Sequence, residues 1–379
     1  MTMKHSRVLG TLMGLAALAA VPAAAQTTAQ TTTDNTGYGT TAAEFLLLGA
    51  GARGTALGNG FAALANDVTA LYYNPGGLAM MSRPEAMVST YSYVGNTKYS
   101  WLGFAMPVSG GSRAIGVQLG SFGFTGQPVY TLDNPEGDGT TYDVSETFMA
   151  GTFSQNFSDR FSAGLSLKFI SDKLGTTAAS AFALDFGTNF HAMIGDRPIR
   201  AAFVIENLGS NLEHSGAALE TLIQRQPPLG TVTIPQDGQA ARLRTSPWGL
   251  PVLFRVGVAF DLYSQSNNRL TLLGEFNQPV NTKPGAGVGL EYAMTNLGNT
   301  GFSLAARGSY SPTPDNNVNP GTGAGFATAQ STSSLTSQGL AVGGGLSYGK
   351  GNVKLGFDYA YKNMGLLGGT NFLSFSLGW

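Results

Sequence analysis

Apolar and polar residues alternate along most of this sequence, and no other feature restricts the fold as strongly. From 161 to 170 the apolar side chains Phe161, Leu165 and Phe169 occupy odd positions, whereas Lys168 lies on the even side. From 182 to 191 the phase is reversed, and the aromatic residues lie at even positions. A period of two is typical of a strand with one apolar face. Segments of about nine to eleven residues match tilted strands that cross a bilayer.

Fourteen such segments can be placed between residue 86 and the end of the chain. An even number is what single-chain bacterial barrels require. We therefore predict an all-β fold, a transmembrane antiparallel β-barrel of about 14 strands, in residues 85–379. The predicted strands are 86–94, 99–108, 112–123, 144–157, 161–173, 179–191, 199–207, 250–261, 269–279, 284–294, 301–310, 339–349, 352–361 and 370–379.

The gaps between these segments are unequal in a regular way. The three long gaps, at about 125–143, 208–249 and 311–338, follow the third, seventh and eleventh predicted strands. In an antiparallel meander these positions all fall at the same edge of the sheet. Outer-membrane barrels have long loops outside and short turns on the periplasmic side. We therefore predict that the three long gaps are external loops.

Composition excludes several classes of site. The sequence has no cysteine, so disulfides and thiolate metal sites are ruled out. Charged residues make up 11% of the chain, against about 25% in soluble domains. The net charge is −1 and no basic stripe is present, so no nucleic-acid partner is expected. No cofactor or metal ion is predicted.

The start of the chain is typical of an export signal. Lys4 and Arg7 precede an apolar run over 8–21, and Ala23 to Ala25 form a small-residue cleavage site. We predict a signal peptide at 1–25 and a flexible polar lead at 26–41. No later apolar run is long enough for a membrane-spanning helix.

Residues 42–84 differ from everything that follows. The stretch is rich in Gly and Ala, and Phe61, Leu64, Val68 and Leu71 have helical spacing within 58–71. A barrel of this size has an interior wider than its own side chains can fill. We therefore predict that residues 42–84 form a plug inside the lumen and contain a short helix.

The same stretch contains a sequence pattern that is also found in nucleotide-binding proteins. Gly49, Gly51 and Gly54 fit the pattern G-x-G-x-x-G, with an acid further on at Asp67. This pattern indicates a dinucleotide site only within a strand–helix–strand unit. No second parallel strand follows here, so the dinucleotide interpretation is disfavoured.

A short signature in this stretch resembles the N-terminal signature of the PorV/PorQ family, outer-membrane barrels related to the FadL-type fatty-acid transporters. The family usually has Ala where this chain has Gly76, and often Gly where it has Asn59. The resemblance implies the cell outer membrane and a non-enzymatic role. The residues that carry the signature are Gly49, Gly51, Arg53, Gly58, Gly60, Asp67, Asn74 and Pro75.

Parity also predicts which charged residues face the lumen, since the apolar side of a barrel must face lipid. Arg53 of the plug is expected to pair with one of the inward carboxylates, and which one is left open. Tyr91, Tyr93, Tyr99 and Trp101 are predicted to form part of an aromatic girdle at the outer interface. The predicted lumen-facing charges are Lys168, Asp185, Glu206, Arg255, Asp261, Glu275, Glu291, Arg307, Lys354 and Asp358.

The end of the chain is an amphipathic strand. Phe375 and Trp379 share one parity, and Trp379 is the last residue. A final strand that ends on an aromatic residue resembles the terminal signal read by the outer-membrane assembly machinery. That machinery and outer-membrane lipid are therefore expected partners.

Catalytic groups are scarce. Glu213, His214 and Ser215 are adjacent in sequence, but a triad needs convergence in space, so no catalytic role is predicted. Asp133, Glu136 and Asp138 lack the spacing of a calcium loop. Two functions remain open. The PorV-like resemblance implies type IX protein secretion with exported cargo as a partner, and the FadL-like alternative is an uptake channel for hydrophobic small molecules.

Overall fold

The computed structural model describes residues 37, 39–223, 238–312 and 338–379. The predicted signal peptide, most of the predicted lead and most of the third predicted loop lie outside the described residues.

Fourteen strands form a closed antiparallel barrel, as predicted. Each barrel strand pairs with the next, β7 pairs with β11, and β1 pairs with β17 to close the sheet. The short strands β8, β9 and β10 lie in the segment between β7 and β11. In chain order the strands are β1 (Glu85–Ser92), β2 (Lys98–Val108), β3 (Arg113–Pro128), β4 (Thr141–Ser158), β5 (Phe161–Leu174), β6 (Thr177–Ile194), β7 (Arg197–Gly209), β8 (Ser215–Gly216), β9 (Glu220–Ile223), β10 (Gln239–Arg242), β11 (Leu253–Gln265), β12 (Asn268–Pro279), β13 (Gly285–Met294), β14 (Phe302–Tyr310), β15 (Leu340–Lys350), β16 (Val353–Asn363) and β17 (Gly369–Gly378).

The two ends of the barrel differ. The long connections follow β3, β7 and β14, and all three lie at one end, here called the long-loop end. The other end, the short-turn end, has connections such as 159–160 between β4 and β5. The observed ends of β3, β7 and β14 thus lie at the same edge of the sheet.

The outer surface of the barrel is apolar. Side chains such as Phe153 (47% exposed), Leu167 (55%) and Phe375 (55%) point outward. A soluble protein would bury such a band, whereas a barrel in hydrocarbon turns it to lipid. The opposite parity points inward, and Lys168 and Asp185 on that parity are buried. Within the described residues, no helix is long and apolar enough to cross a membrane.

Residues 41–84, here called the N-terminal segment, are almost entirely buried against inward-facing side chains of the strands. The segment contains the helices Ala52–Ala56 and Ala70–Tyr73 and the 3₁₀ turns Glu44–Leu47 and Pro75–Met80. The predicted helix over 58–71 is wrong. Gly58 and Asn59 both have positive φ, of 74° and 58°, and break any helix at its start.

Burial of the whole segment explains why the helical spacing of its apolar residues gave a wrong prediction. Phe61, Leu64, Val68 and Leu71 are all between 0 and 1% exposed. The surrounding segment is also buried, so these residues do not mark one face of an amphipathic helix. The spacing therefore records burial on all sides in irregular backbone.

The predicted outer aromatic girdle is also wrong for three of its four residues. Tyr91, Tyr99 and Trp101 are 3%, 0% and 1% exposed and lie on the inward parity of β1 and β2. The ring centroids of Tyr91 and Tyr99 are 5.1 Å apart. These side chains fill the lumen near the long-loop end, because the N-terminal segment gives them a surface to pack against.

Candidate functional site

The N-terminal segment is fixed to the wall at a pair of glycines. Gly164 of β5 and Gly187 of β6 are cross-strand partners and face inward. A Cβ on Gly164 would lie 2.3 Å from the carbonyl oxygen of Pro75, and one on Gly187 would lie 2.3 Å from Oδ1 of Asn74. Only glycine at both positions lets the backbone of the segment lie directly on the wall.

Polar groups hold the same turn in place. Nδ2 of Asn74 donates to the carbonyl oxygens of Ala62 (2.9 Å) and Thr188 (3.1 Å), and its Oδ1 accepts from the amide of Gly76 (3.0 Å). The hydroxyl of Ser162 donates to the carbonyl oxygen of Gly76 at 2.7 Å. Since Asn74 is fully buried, losing these bonds would leave polar atoms without partners.

Two buried groups of ion pairs extend along neighbouring strands. Nζ of Lys168 lies 2.8 Å from Asp185. On the next strands Arg255 lies 3.1 Å from Glu206 and 3.3 Å from Glu275. Charges this deeply buried are tolerated because each has a partner of opposite sign.

The second group also binds the N-terminal segment. Nη1 of Arg255 donates to the carbonyl oxygen of Asn59 at 2.8 Å, and Oε2 of Glu275 accepts from the amide of Ala62 at 2.9 Å. A Cβ on Gly60 would lie 3.3 Å from Cβ of Glu275, so this part of the segment is tightly packed. These contacts satisfy backbone groups that no helix or sheet satisfies.

Arg53 is the charged centre of the segment. Its guanidinium lies 2.6 Å from Asp67 within the segment and 2.9 Å from Glu291 of β13. These are the partners that the sequence could not identify. Burial alone would lower the pKa of Arg53. The negative charges of Glu291 and Asp67 have the larger combined effect and raise this pKa above its ordinary value. Burial would raise the pKa of Asp67, and Arg53 and the Thr69 hydrogen bonds lower it instead.

Glu291 also connects Arg53 to charged residues on strands β14 and β16. Arg307 of β14 lies 2.8 Å from Glu291 and 2.6 Å from Asp358 of β16, so its charge reaches across the intervening strand β15. The ion pair can pass over β15 because the residue at that point is Gly345. A Cβ there would lie 2.3 Å from Oδ1 of Asp358. Arg53, Asp67, Glu291, Arg307 and Asp358 therefore form one continuous network between segment and barrel.

An aromatic cluster lies nearer the long-loop end. The ring of Phe45 packs against Phe122 of β3 and Phe148 of β4, with centroid distances of 6.4 and 6.0 Å, and Tyr93 packs against Phe122 at 6.0 Å. Phe45 is 2% exposed. These four residues are the aromatic cluster, and Phe45 is the member that comes from the N-terminal segment.

The backbone around Phe45 forms the short 3₁₀ turn Glu44–Leu47, and the amide of Leu48 donates to the carbonyl oxygen of Phe45 at 3.2 Å. Hydroxyl groups of Tyr72 and Tyr91 donate to the carbonyl oxygens of Leu46 (2.6 Å) and Leu48 (3.2 Å). Gly49 and Gly51 follow directly, with φ of 92° and 81°. The side chain of Phe45 is thus held by ring contacts, whereas the side chain of Arg53 is held by ion pairs.

The remaining predicted positions fall in several places. Gly54, the last glycine of the nucleotide-like pattern, packs against Tyr73, whose ring would lie 2.5 Å from a Cβ. Phe375 and Trp379 point outward, 55% and 46% exposed. His214 lies 3.3 Å from Asp172. Among the described residues, no group of three or more His, Cys, Asp or Glu side chains could hold a metal ion.

Sequence reasoning missed the wall residues that receive the segment. Gly164, Gly187 and Gly345 carry no motif, and Phe122 and Phe148 are ordinary strand residues by composition. Parity alone places these five residues inward. The cross-strand register that makes Gly164 and Gly187 neighbours was the missing information.

Comparisons with known proteins reveal a fold but no family. No family model matches the chain, and no curated protein matches it. Among solved structures it is similar to the toluene transporter TodX of Pseudomonas putida, with a TM-score of 0.50, 11% identity and coverage of 87% of this chain and 96% of that chain. It is also similar to the toluene transporter TbuX of Ralstonia pickettii, with a TM-score of 0.51, 12% identity and coverage of 88% and 98%. At this identity the likeness shows the barrel fold alone.

Proposed function

We propose that this protein is a non-enzymatic outer-membrane barrel that takes up hydrophobic small molecules, with residues 42–84 acting as the plug that closes its lumen. The export-type start of the chain, the apolar outer band and the barrel fold shared with TodX and TbuX support this location and role.

The position of Phe45 carries the proposal. A phenyl ring from the plug occupies a space lined by Phe122, Phe148 and Tyr93, just below the long-loop end. An incoming aromatic molecule of similar size can make the same ring contacts. The ligand therefore enters by replacing Phe45, and the adjoining Gly49 and Gly51 allow the backbone to turn away.

The test uses toluene, the molecule named for the similar transporters, and opposite changes on the two sides of the cluster. Phe45→Ala removes the competing ring, and burying such a ring is worth roughly 1.5–3 kcal/mol, so toluene should bind roughly 10- to 150-fold more tightly. Phe148→Ser removes a wall of the same space and should weaken binding. Saturation-transfer NMR on the detergent-folded barrel, corrected with empty micelles, measures both affinities.

The control lies outside the cluster. Leu222→Ser, on the exposed β9, should leave toluene binding unchanged. Equal affinities for the intact protein, Phe45→Ala and Phe148→Ser would show that toluene binds elsewhere, and would remove the basis for Phe45 as a gate.

The PorV-like secretion role is the second candidate, and one observation favours it. The long-loop end exposes Leu132 (103%), Leu222 (70%) and Leu243 (58%), which could contact exported cargo. Changing all three to Ser should release cargo from the cell surface while toluene affinity stays the same. Unchanged cargo display would count against the secretion role.

A further inference from the structure

A polar cavity of about 360 Å³ lies at the short-turn end, between the N-terminal segment and strands β12 to β17. It is separate from the aromatic cluster, which lies towards the opposite end. The cavity is in the range of small-molecule sites. Its chemistry is therefore independent of the uptake proposed above.

The charges around the cavity do not cancel. Its lining contains five basic side chains and four acidic ones. Asp67, Glu291 and Asp358 are all taken by ion pairs with Arg53 and Arg307. The other lining charges are Arg83, Glu85, Arg269 and Lys354.

These remaining bases have unused hydrogen-bond donors. Arg269 reaches only Glu291, at 3.5 Å, and shares that carboxylate with two closer arginines. Its Nε is buried without a hydrogen-bond partner. In the part of the chain that the structure describes, Lys354 and Arg83 form no ion pair. A buried guanidinium nitrogen without an acceptor is costly, and an anion would remove that cost.

The lining of the cavity includes a glycine, Gly378. Gly378 of β17 pairs with Lys354 on one side and with Glu85 on the other, and all three share the inward parity. Cδ of Arg83 lies 3.1 Å from where a Cβ on Gly378 would be. One amine, one guanidinium and one carboxylate thus surround Gly378 at this part of the lining.

We propose that this cavity binds a small oxyanion, a carboxylate or phosphate group, with Arg269 and Lys354 as the basic residues that attract it. The planar guanidinium of Arg269 offers donors in the geometry that oxyanions accept, and Lys354 adds a second charge. Glu85 is the one acid in the lining without an ion pair among the described residues, and it repels the bound anion. Met80 and Met81 give the cavity an apolar side for the body of an organic acid.

The experiment measures binding of inorganic phosphate and of benzoate to the detergent-folded full-length barrel by isothermal titration calorimetry at low salt. Arg269→Gln with Lys354→Gln should weaken binding at least tenfold, because charge-assisted hydrogen bonds are lost. Glu85→Gln should strengthen binding several-fold, because it removes the opposing charge. A merely structural role for Glu85 would not produce a tighter site.

The matched control changes two exposed bases at the same end, Arg113→Gln with Lys350→Gln. Affinity should stay within twofold of the intact protein. Saturable binding of phosphate alone identifies an inorganic anion site, and binding of benzoate alone identifies a site for organic acids. Absence of binding by either anion, or an equal loss in the control variant, overturns the proposal. Neither result bears on toluene and the aromatic cluster.

Discussion

Glu291→Gln is expected to lower the free energy of unfolding by about 3 kcal/mol, although the change removes only one charge. The carboxylate is 1% exposed and neutralises Arg53 of the N-terminal segment and Arg307 of the wall, with a weaker contact to Arg269. Glutamine keeps the shape but leaves guanidinium groups short of negative charge in a buried place. Urea unfolding of the detergent-folded barrel, followed by tryptophan fluorescence, measures the loss.

The control for Glu291 is an exposed ion pair. Glu220 pairs with Arg242 at 3.4 Å in the long segment between β7 and β11, and both side chains are about 60% exposed. Glu220→Gln should cost at most about 1 kcal/mol, because solvent screens such pairs. If Glu291→Gln cost no more than Glu220→Gln, the network would not hold the segment to the wall.

Gly164→Leu is expected to open the barrel to ions. Its Cβ would meet backbone atoms of Pro75 and Gly76, at 2.3 to 2.9 Å, and backbone atoms cannot rotate away. Overpacking of this kind costs roughly 1–3 kcal/mol, which raises the population of a displaced segment by roughly 5- to 150-fold. The added side chain points into the lumen and leaves the hydrogen bonds between strands in place, so the strands should keep their register. Planar-bilayer recordings should therefore show stepwise currents that the intact protein does not give.

A glycine on the outer face provides the comparison. A Cβ on Gly151 of β4 would meet no atom within 4 Å, because this residue faces outward. Gly151→Leu adds the same side chain to a neighbouring strand and should leave the barrel closed. Equal currents from both variants would mean that conductance reports a general loosening of the sheet and not release of Pro75.

The strands were predictable because a barrel in lipid obeys two simple rules. Its outward side chains are apolar and its long connections lie at one end, so parity and gap position together locate the fourteen strands. The strand predicted at 161–173 is observed as Phe161–Leu174, and that at 269–279 as Asn268–Pro279. Parity also separates inward charges such as Asp185 from outward residues such as Leu184.

The interior was harder to predict because partners come from distant parts of the chain. Arg53 and Glu291 are 238 residues apart, and nothing local to either identifies the other. Tyr99 and Trp101 looked like interfacial aromatics from their position at a strand end. They face inward because the N-terminal segment provides an apolar surface inside the barrel. In a buried irregular segment, the spacing of apolar residues does not report the backbone conformation, as 58–71 shows.

The most direct test of Phe45 as the gate is a structure of the detergent-folded protein with bound toluene. We predict toluene between Phe122 and Phe148, with the ring of Phe45 moved out, Pro75 still on Gly164 and Asn74 still on Gly187. Toluene bound elsewhere, with Phe45 in place in the aromatic cluster, would contradict the claim that this ring is the gate.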